Sequence, residues 1–284
     1  MHTNKIEITE LNIYPVKSLK GISLNESKLT IEGLEHDRRW MLTDEDYNFI
    51  TQRQITEMAK IKVALNKDFL VLEAEGISPL EVELNSKEDK TIDTAVWDSD
   101  CKGIDQGDNA SRWLTETLGK FNFKNLRLVK FPNGFIRNVS PKYLQGENAK
   151  TAFADGYPFL ITLEESLSFL NSRLEENGNA QVDMKRFRAN IVLKNLAPFD
   201  EHIIETLGSE KGEYSFGLRK PCRRCKIITI NQENGQIKDP SEPLATLAQI
   251  NQIKEKKGSF FGQNSTLLKG ENNIIRVGDK LTII

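Results

Sequence analysis

The chain has 284 residues, of which 38% are apolar and 28% charged, a composition that suits a folded protein with a polar surface. Its 39 Lys and Arg residues nearly balance 41 Asp and Glu residues, and the formal net charge of −2 argues against a nucleic-acid-binding protein. The first ten residues lack the apolar run of a signal peptide, and no stretch of about 18 consecutive apolar residues occurs, so no membrane span is expected.

The first hundred residues predict a series of short β-strands. Their strand-forming runs combine β-branched residues with apolar alternation, and they lie at 5–16, 39–43, 61–65, 69–72 and 80–84. Because the spacing between these runs leaves no room for crossover helices, we expect a mostly antiparallel sheet.

Helices appear later in the chain. The first is expected at 108–118, with Asp108 or Asn109 as its N-cap and Gly119 as its stop, and a short one is expected at 243–253. A helix between them has an apolar stripe of Leu167, Leu170 and Leu174. The remaining strands are predicted at 126–129, 159–162, 189–193, 226–231 and 280–284. This pattern favours a mainly β fold with peripheral helices, built from one or two β-barrels.

The segment 131–157 contains no periodic pattern and is rich in proline, glycine and polar residues. A connection of this length is uncommon inside a compact domain, and such a segment often forms a lid or part of a binding site. A surface excursion without a function is the alternative interpretation.

The most informative segment is 220–226, Lys-Pro-Cys-Arg-Arg-Cys-Lys, in which four of seven residues are cationic. Positive charge stabilises the thiolate form of cysteine, and thiolate is a soft ligand for transition metals. The arginines offer forked donors to a phosphate or another anion. With only three cysteines in the chain, we expect free thiols rather than a disulfide framework, and hence a cytoplasmic protein.

Several other interpretations of this cysteine pair remain open. A zinc site would need Cys101, His36 or His202 to complete its ligand set, without local spacing. A thioredoxin-type motif normally lies in a βαβ unit, and a haem-attachment motif would have histidine at position 226. From the segment alone, an inert pair of thiols on a basic surface is as plausible as a metal site.

Several separated motifs, in order, resemble the MOSC domain family, named after the C-terminal domain of molybdenum cofactor sulfurase. The second half of the chain contributes "RFRANIVL" at 186–193 and "KPCRRCKIITINQENGQIKDPSEPLATL" from 220 onward. The first half contributes "IYPVKSLKGISL", "GLEHDRRWML" and "TQRQ", which resemble the N-terminal β-barrel domain that accompanies MOSC domains. The resemblance spans nearly the whole chain and is strongest to the amidoxime-reducing component type and its bacterial counterparts.

The resemblance implies an N-terminal β-barrel-like domain at 1–120 joined to a MOSC β-barrel domain at 121–284. It also implies a molybdenum-molybdopterin cofactor whose metal is bound by Cys225, the second cysteine of the motif. Arg223 departs from the family pattern, in which a small polar residue is common at that position. The residues expected to hold the cofactor are Lys17, Ser18, Arg38, Arg188, Asn190, Arg223 and Arg224.

The implied reaction is the two-electron reduction of a small N-hydroxylated compound. The sequence contains no dinucleotide-binding glycine motif and too few cysteines for an iron–sulfur cluster, so electrons are expected from a separate ferredoxin- or cytochrome-like protein. One alternative is a protein that carries a molybdenum-pterin or sulfur on Cys225 without turnover. Another is an anion-binding scaffold without a metal.

Overall fold

A computed structural model describes residues 5–85, 91–250, 253 and 256–284. The chain forms 19 strands and three helices within these residues, and short 3-10 turns connect several of them. The strands of the first half are β1 (Ile6–Ile13), β2 (Ile22–Leu24), β3 (Glu26–Thr30), β4 (Gly33–Leu34), β5 (Trp40–Thr43), β6 (Phe49–Ile50), β7 (Lys62–Leu65), β8 (Phe69–Glu73), β9 (Leu80–Glu83), β10 (Thr91–Val96), β11 (Ser99–Asp105) and β12 (Arg127–Lys130).

The second half contains seven further strands and two of the three helices. The helices are α1 (Gly107–Leu118), α2 (Glu164–Glu176) and α3 (Leu244–Ile250). The strands are β13 (Phe159–Leu163), β14 (Ile191–Lys194), β15 (Thr206–Ser209), β16 (Ser215–Arg223), β17 (Phe260–Lys269), β18 (Ile274–Arg276) and β19 (Lys280–Ile283). In the part of the chain that the structure describes, no helix is both long and apolar enough to cross a membrane.

Seven strands close into a barrel in the order β14-β13-β17-β16-β15-β19-β1, and the pairing of β1 with β14 completes the ring. Its interior is filled by buried aliphatic and aromatic side chains such as Leu11, Ile161 and Phe216. The N-terminal strand β1 therefore belongs to a barrel whose other strands all come from the second half of the chain. The predicted division near residue 120 stays a prediction.

A five-stranded sheet, β10-β11-β12-β5-β6, forms a half-barrel beside the closed barrel. Trp40, Leu42 and Leu128 of this sheet pack with Trp113 and Leu114 of α1 in a second apolar core. As predicted from the short connections, nearly all neighbouring strands are antiparallel, and among the named strands β13 and β14 form the parallel pair.

Two local predictions were wrong. The first helix begins at Gly107 rather than after Asp108 or Asn109, and the carboxylate of Asp105 accepts from the Gly107 backbone N–H at 2.8 Å. The predicted strand at 226–231 is instead a 3-10 turn, Lys226–Thr229. The Arg186 guanidinium donates to the carbonyls of Ile228 and Thr229 and thereby occupies acceptors that a strand partner would need. Tertiary contacts thus override the β-propensity of this segment.

Candidate functional site

All eight residues singled out in the sequence line one cleft that is partly open to solvent. The cleft lies where the loops of the first half meet the barrel strands of the second half. The segment 131–157 reaches it through its last residues, Ala154 to Tyr157. The eight residues are Lys17, Ser18, Arg38, Arg188, Asn190, Arg223, Arg224 and Cys225.

Cys225 lies between β16 and the 3-10 turn that follows it, and its side chain is half-buried in the cleft. Its neighbour Arg224 is held in place by a backbone hydrogen bond, in which the Arg224 N–H donates to the Ser259 carbonyl at 2.8 Å. The Cys225 sulfur faces Arg53 of the first half, whose Nη1 lies 3.8 Å away. The thiol therefore stands on an ordered chain segment and within reach of positive charge.

Cys222 also lines the cleft but has a different partner. Its sulfur lies 3.0 Å from Nη1 of Arg224, and Nη2 of the same guanidinium donates to the Phe187 carbonyl at 2.7 Å. Arg223 lies between the two cysteines in the sequence and is exposed at the end of β16. Of the predicted cofactor residues, Arg223 is thus the one that the fold holds least firmly.

Lys17 is a buried cation whose ammonium donates to the Phe153 carbonyl at 2.8 Å and to the Asp155 carboxylate at 2.5 Å. Burial lowers the pKa of Lys17, and the Asp155 carboxylate opposes this shift. Desolvation in the cleft would raise the pKa of Asp155, but the Lys17 charge and hydrogen bond outweigh it and hold that pKa well below its usual range. The two side chains therefore form an ion pair at this end of the cleft.

Arg38 and Arg188 both stack on the ring of Tyr14, with guanidinium carbons 4.5 Å and 4.2 Å from the ring centre. Arg38 donates to the side chains of Asp37 and Asn190 and, at 3.1 Å, to the Arg188 carbonyl. Arg188 donates to the Leu19 carbonyl at 2.8 Å. Burial lowers the pKa of Arg188 to about 10, so it still carries its charge at neutral pH.

Three of the cleft residues hold a left-handed backbone conformation, with φ of 68° at Ser18, 49° at Arg38 and 55° at Arg188. Non-glycine residues rarely adopt this region, and each such residue costs roughly 1–3 kcal/mol. Strain of this kind persists where the surroundings fix it, and it is concentrated at functional sites. Of the eleven such residues in the described part of the chain, these three line the cleft.

The charges of the cleft fit an anionic ligand. Six of its lining residues are cationic and Asp155 is its one acidic lining residue; the cations are Lys17, Arg38, Arg53, Arg188, Arg223 and Arg224. Two buried donors of these residues, Nη2 of Arg188 and Nε of Arg224, have no hydrogen-bond partner among the described residues. Unpaired buried donors are costly unless a ligand satisfies them. The donor set therefore suits a phosphate-bearing group, and Cys225 adds a soft metal ligand.

Sequence reasoning missed three residues at this site: Arg53, Trp97 and Asp155. Arg53 lies in the quoted segment "TQRQ", and the available signal was a cation shortly after the strand that ends at Ile50. Trp97 and Asp155 lie in segments without a recognisable motif, and their contact, an indole N–H donating to Oδ1 at 3.1 Å, joins distant parts of the chain.

The zinc interpretation gains no support from the geometry. Cys101 lies in β11 and packs with Met41, Ile92 and Phe131 in an apolar cluster. Across residues 5–85, 91–250, 253 and 256–284, no group of three or more His, Cys, Asp or Glu side chains is arranged to hold a metal ion.

Comparison with known proteins identifies the two halves. The MOSC N-terminal beta barrel domain matches residues 5–121, and the MOSC domain matches residues 148–282. Mitochondrial amidoxime reducing component 2 of Rattus norvegicus is 34% identical over 84% of this chain and 71% of its own length. Molybdenum cofactor sulfurase of Solanum lycopersicum is 31% identical over 96% of this chain but 35% of its own length. The chain belongs to the MOSC domain family, in the form that carries the MOSC N-terminal barrel.

Proposed function

We propose that this protein is a molybdenum-cofactor-dependent oxidoreductase that reduces N-hydroxylated compounds. The observation that carries the proposal is the surplus of positive charge around a half-buried cysteine: six cationic side chains and one acidic side chain line the cleft of Cys225. A molybdenum-molybdopterin cofactor is anionic, so it needs cationic donors, and its metal needs a soft ligand. The cleft provides the donors through its arginines and lysine, and the ligand through Cys225. When bound, the cofactor supplies two-electron redox chemistry that side chains lack.

The proposed roles follow from the contacts of each residue. Cys225 binds the metal through its sulfur, while Lys17, Arg38, Arg188 and Arg224 neutralise the phosphate and the pterin dithiolene. Ser18 adds a buried hydroxyl and Arg223 an exposed guanidinium to the donors of the cleft.

Asn190 has a different role in this proposal, because its side chain is already occupied. Its Oδ1 accepts from Arg38 at 3.0 Å and from the Leu160 backbone N–H at 3.1 Å, and its Nδ2 donates to the Asn12 carbonyl at 3.1 Å. Asn190 thus orients Arg38 toward the cofactor and contributes to binding through it.

The substrate class and the electron source come from the similarity to the amidoxime reducing components. We propose a small N-hydroxylated substrate, such as an amidoxime, a hydroxylamine or a hydroxylated purine base. Electrons would come from a separate ferredoxin- or cytochrome-like protein, and we propose a cytoplasmic location.

A carrier function is the second candidate, because molybdenum cofactor sulfurases are also similar over almost the whole chain. In that case Cys225 would carry a molybdenum-pterin or sulfur without turnover. A half-buried thiol beside Arg53 suits a carrier as well as a metal ligand.

Metal and pterin analysis of protein made in a cofactor-competent host separates these possibilities. We expect about one molybdenum and one pterin per chain. We also expect the protein to convert benzamidoxime to benzamidine when a reduced viologen supplies the electrons. Bound molybdenum without turnover, or a persulfide on Cys225, would favour the carrier. Protein without molybdenum, pterin or a persulfide on Cys225 would refute both candidates and leave an anion-binding scaffold.

A further inference from the structure

A group of lysines surrounds Tyr143 beside the opening of the cleft. Tyr143 is the last residue of the 3-10 turn Pro141–Tyr143. The Nζ atoms of Lys142, Lys220 and Lys256 lie 5.6 Å, 5.1 Å and 5.0 Å from the centre of its ring. Ammonium groups repel one another, and attraction to an aromatic ring offsets part of that repulsion. Tyr143 therefore gathers positive charge from three separate segments of the chain.

The strand β16 connects this group of lysines to the cleft. Lys220 lies in β16 opposite Asn264 of β17, and Asn264 lines the cleft. Three residues later β16 ends at Arg223, which is exposed and also lines the cleft. Gly258 packs against the same arginine, because a Cβ at this position would meet Arg223 Nε at 3.1 Å. Together these segments form one surface, the basic rim, which consists of Lys142, Tyr143, Lys220, Arg223 and Lys256.

The protein's own carboxylates do not neutralise the charge of the basic rim. In the described part of the chain, no ion pair involves Lys142, Lys220 or Arg223. The carboxylate of Glu147, close by in the sequence, pairs with Arg219 at 2.5 Å instead. Because the whole chain has a formal net charge of −2, this positive surplus is local. A local surplus of one sign steers partners of the opposite sign and raises their association rate. The basic rim thus suits a partner with an acidic surface.

The place of the basic rim, at the opening of the cleft, indicates which acidic partner binds there. We propose that the basic rim is the docking surface of the electron-donating protein, and that it selects a one-electron carrier with an acidic face. Arg223 belongs to both the rim and the cleft, so a carrier bound there lies beside the segment of Cys225. Breaking one N–O bond takes two electrons and two protons and releases one water, so two reduced carriers dock in turn for each substrate. The proposal rests on the proposed function, because it assigns the partner of that same site.

The test measures binding of an oxidised plant-type ferredoxin, an acidic one-electron carrier, to the full chain. Calorimetry gives the dissociation constant for cofactor-free and cofactor-loaded protein. We expect the wild type to bind ferredoxin at low salt and to lose affinity as salt screens the surface charges. The double variant Lys142→Glu/Lys220→Glu should bind about tenfold more weakly at low salt, and this difference should shrink at high salt. No ferredoxin binding by the wild type, or equal binding by the double variant, would overturn the proposal.

The matched control is the double variant Lys67→Glu/Lys211→Glu, which changes the net charge by the same amount. Lys67 is exposed in the connection between β7 and β8. Lys211 is exposed in the turn between β15 and β16, at the opposite end of β16 from Arg223. The control should bind ferredoxin as the wild type does. A loss equal to that of the rim variant would show that net charge, rather than the basic rim, attracts ferredoxin, and would refute the docking surface.

Turnover experiments separate docking from the reaction itself. With reduced ferredoxin as donor, the variant Lys142→Glu/Lys220→Glu should need about tenfold more ferredoxin for half-maximal turnover of benzamidoxime. Reduced viologen is a small donor that needs no docking surface, so it should drive this variant at least as fast as the wild type. Thermal unfolding of each variant confirms that the compared proteins are folded.

The same measurements distinguish this proposal from the proposed function. Ferredoxin binding that depends on Lys142 and Lys220, in loaded protein that does not turn over with viologen, would support the docking surface and refute the reductase. Viologen-driven turnover, with equal ferredoxin binding by the wild type and the rim variant, would support the reductase and refute the docking surface.

Discussion

The side-chain amides of Gln52 and Gln232 pair with each other in the interior of the protein. Gln52 Nε2 donates to Gln232 Oε1 at 3.0 Å, and Gln232 Nε2 donates to Gln52 Oε1 at 2.9 Å. Both residues are buried, and they belong to the two different domain matches. Gln52 also donates to the Ser18 carbonyl at 2.8 Å, so the pair joins the two halves directly behind the cleft.

Replacing one partner of this pair should be costly. In Gln52→Leu the amide of Gln232 stays buried and loses both hydrogen bonds with Gln52, keeping only the longer contacts with the Ile230 carbonyl at 3.2 Å and Arg188 at 3.4 Å. The free energy of unfolding should therefore fall by about 1–3 kcal/mol. The double variant Gln52→Leu/Gln232→Leu should lose less than the sum of the single variants, because the two hydrogen bonds between the amides are counted in both single losses but can be lost only once. Urea unfolding of all four proteins measures the coupling. Strictly additive losses would show that the amides stabilise the protein independently.

Cys225 and Cys222 should differ in their contribution to activity. Cys225→Ala removes the proposed metal ligand and should abolish viologen-driven reduction of benzamidoxime. Cys222→Ser should keep much of the activity, because serine can still accept from Arg224 as the Cys222 sulfur does at 3.0 Å. Turnover and molybdenum content are measured on both variants, with thermal unfolding as the control. Equal loss of activity in two folded variants would contradict the assignment of Cys225 as the ligand.

The sequence predicted the mainly β architecture because alternation and strand propensity are local properties. It also singled out residues that share one cleft where they lie in compact motifs, as in the segment around Cys225. The contacts between distant segments could not be predicted in this way. Lys17 meets Asp155 across 138 positions, and Arg53 meets Cys225 across 172, only because the barrel closes and the half-barrel packs beside it.

The turn at Lys226–Thr229 shows the same limitation at short range. Its β-branched residues favour a strand, but the decisive contact is with Arg186, some forty residues earlier in the chain. Local propensity is a weak predictor where a buried side chain from elsewhere takes the backbone acceptors. Trp97 is a further example, because the sequence of its turn does not indicate that this aromatic residue adopts a positive φ.

Arg188 should be needed for cofactor retention. A charge-assisted hydrogen bond contributes about 1.5–3 kcal/mol, so Arg188→Ala should lower cofactor occupancy about tenfold or more when the cofactor is limiting. The ratio of pterin to protein after purification measures this effect. Arg173→Ala is the control, because Arg173 lies on the exposed surface of α2 and pairs with Glu176. Equal occupancy in Arg188→Ala and the wild type would refute a cofactor role for Arg188.

The isolated 284-residue chain should not draw electrons from a nicotinamide. The sequence contains no G-x-G pattern for a dinucleotide, and its three cysteines cannot ligate a four-cysteine cluster. With NADH alone, molybdenum-loaded protein should leave benzamidoxime unchanged, and addition of a reductase with its electron carrier should start the reaction. NADH consumption at a rate comparable to the viologen-driven reaction, by the pure chain, would contradict this expectation.

Glu201 should make stability depend on pH. Its carboxyl is 1% exposed, and the Ser166 hydroxyl lies 3.1 Å and 2.9 Å from its two oxygens. Burial raises the pKa of Glu201 from 4.5 to about 7; the Ser166 hydrogen bond opposes this shift, and the neighbouring Asp200 adds to it. Between these two values the folded protein keeps the proton, whereas the unfolded chain has lost it, so unfolding releases a proton.

The stabilisation from protonated Glu201 is therefore fully present below about pH 4.5 and is lost as the pH rises through about 7. Glu201→Gln should remove this contribution, because glutamine stays neutral at every pH and retains the contact with Ser166. The difference in free energy of unfolding between variant and wild type should thus shift in favour of the variant from pH 5 to pH 8, as measured by urea titration at each pH. A difference that does not change with pH would show that Glu201 ionises normally in the folded protein.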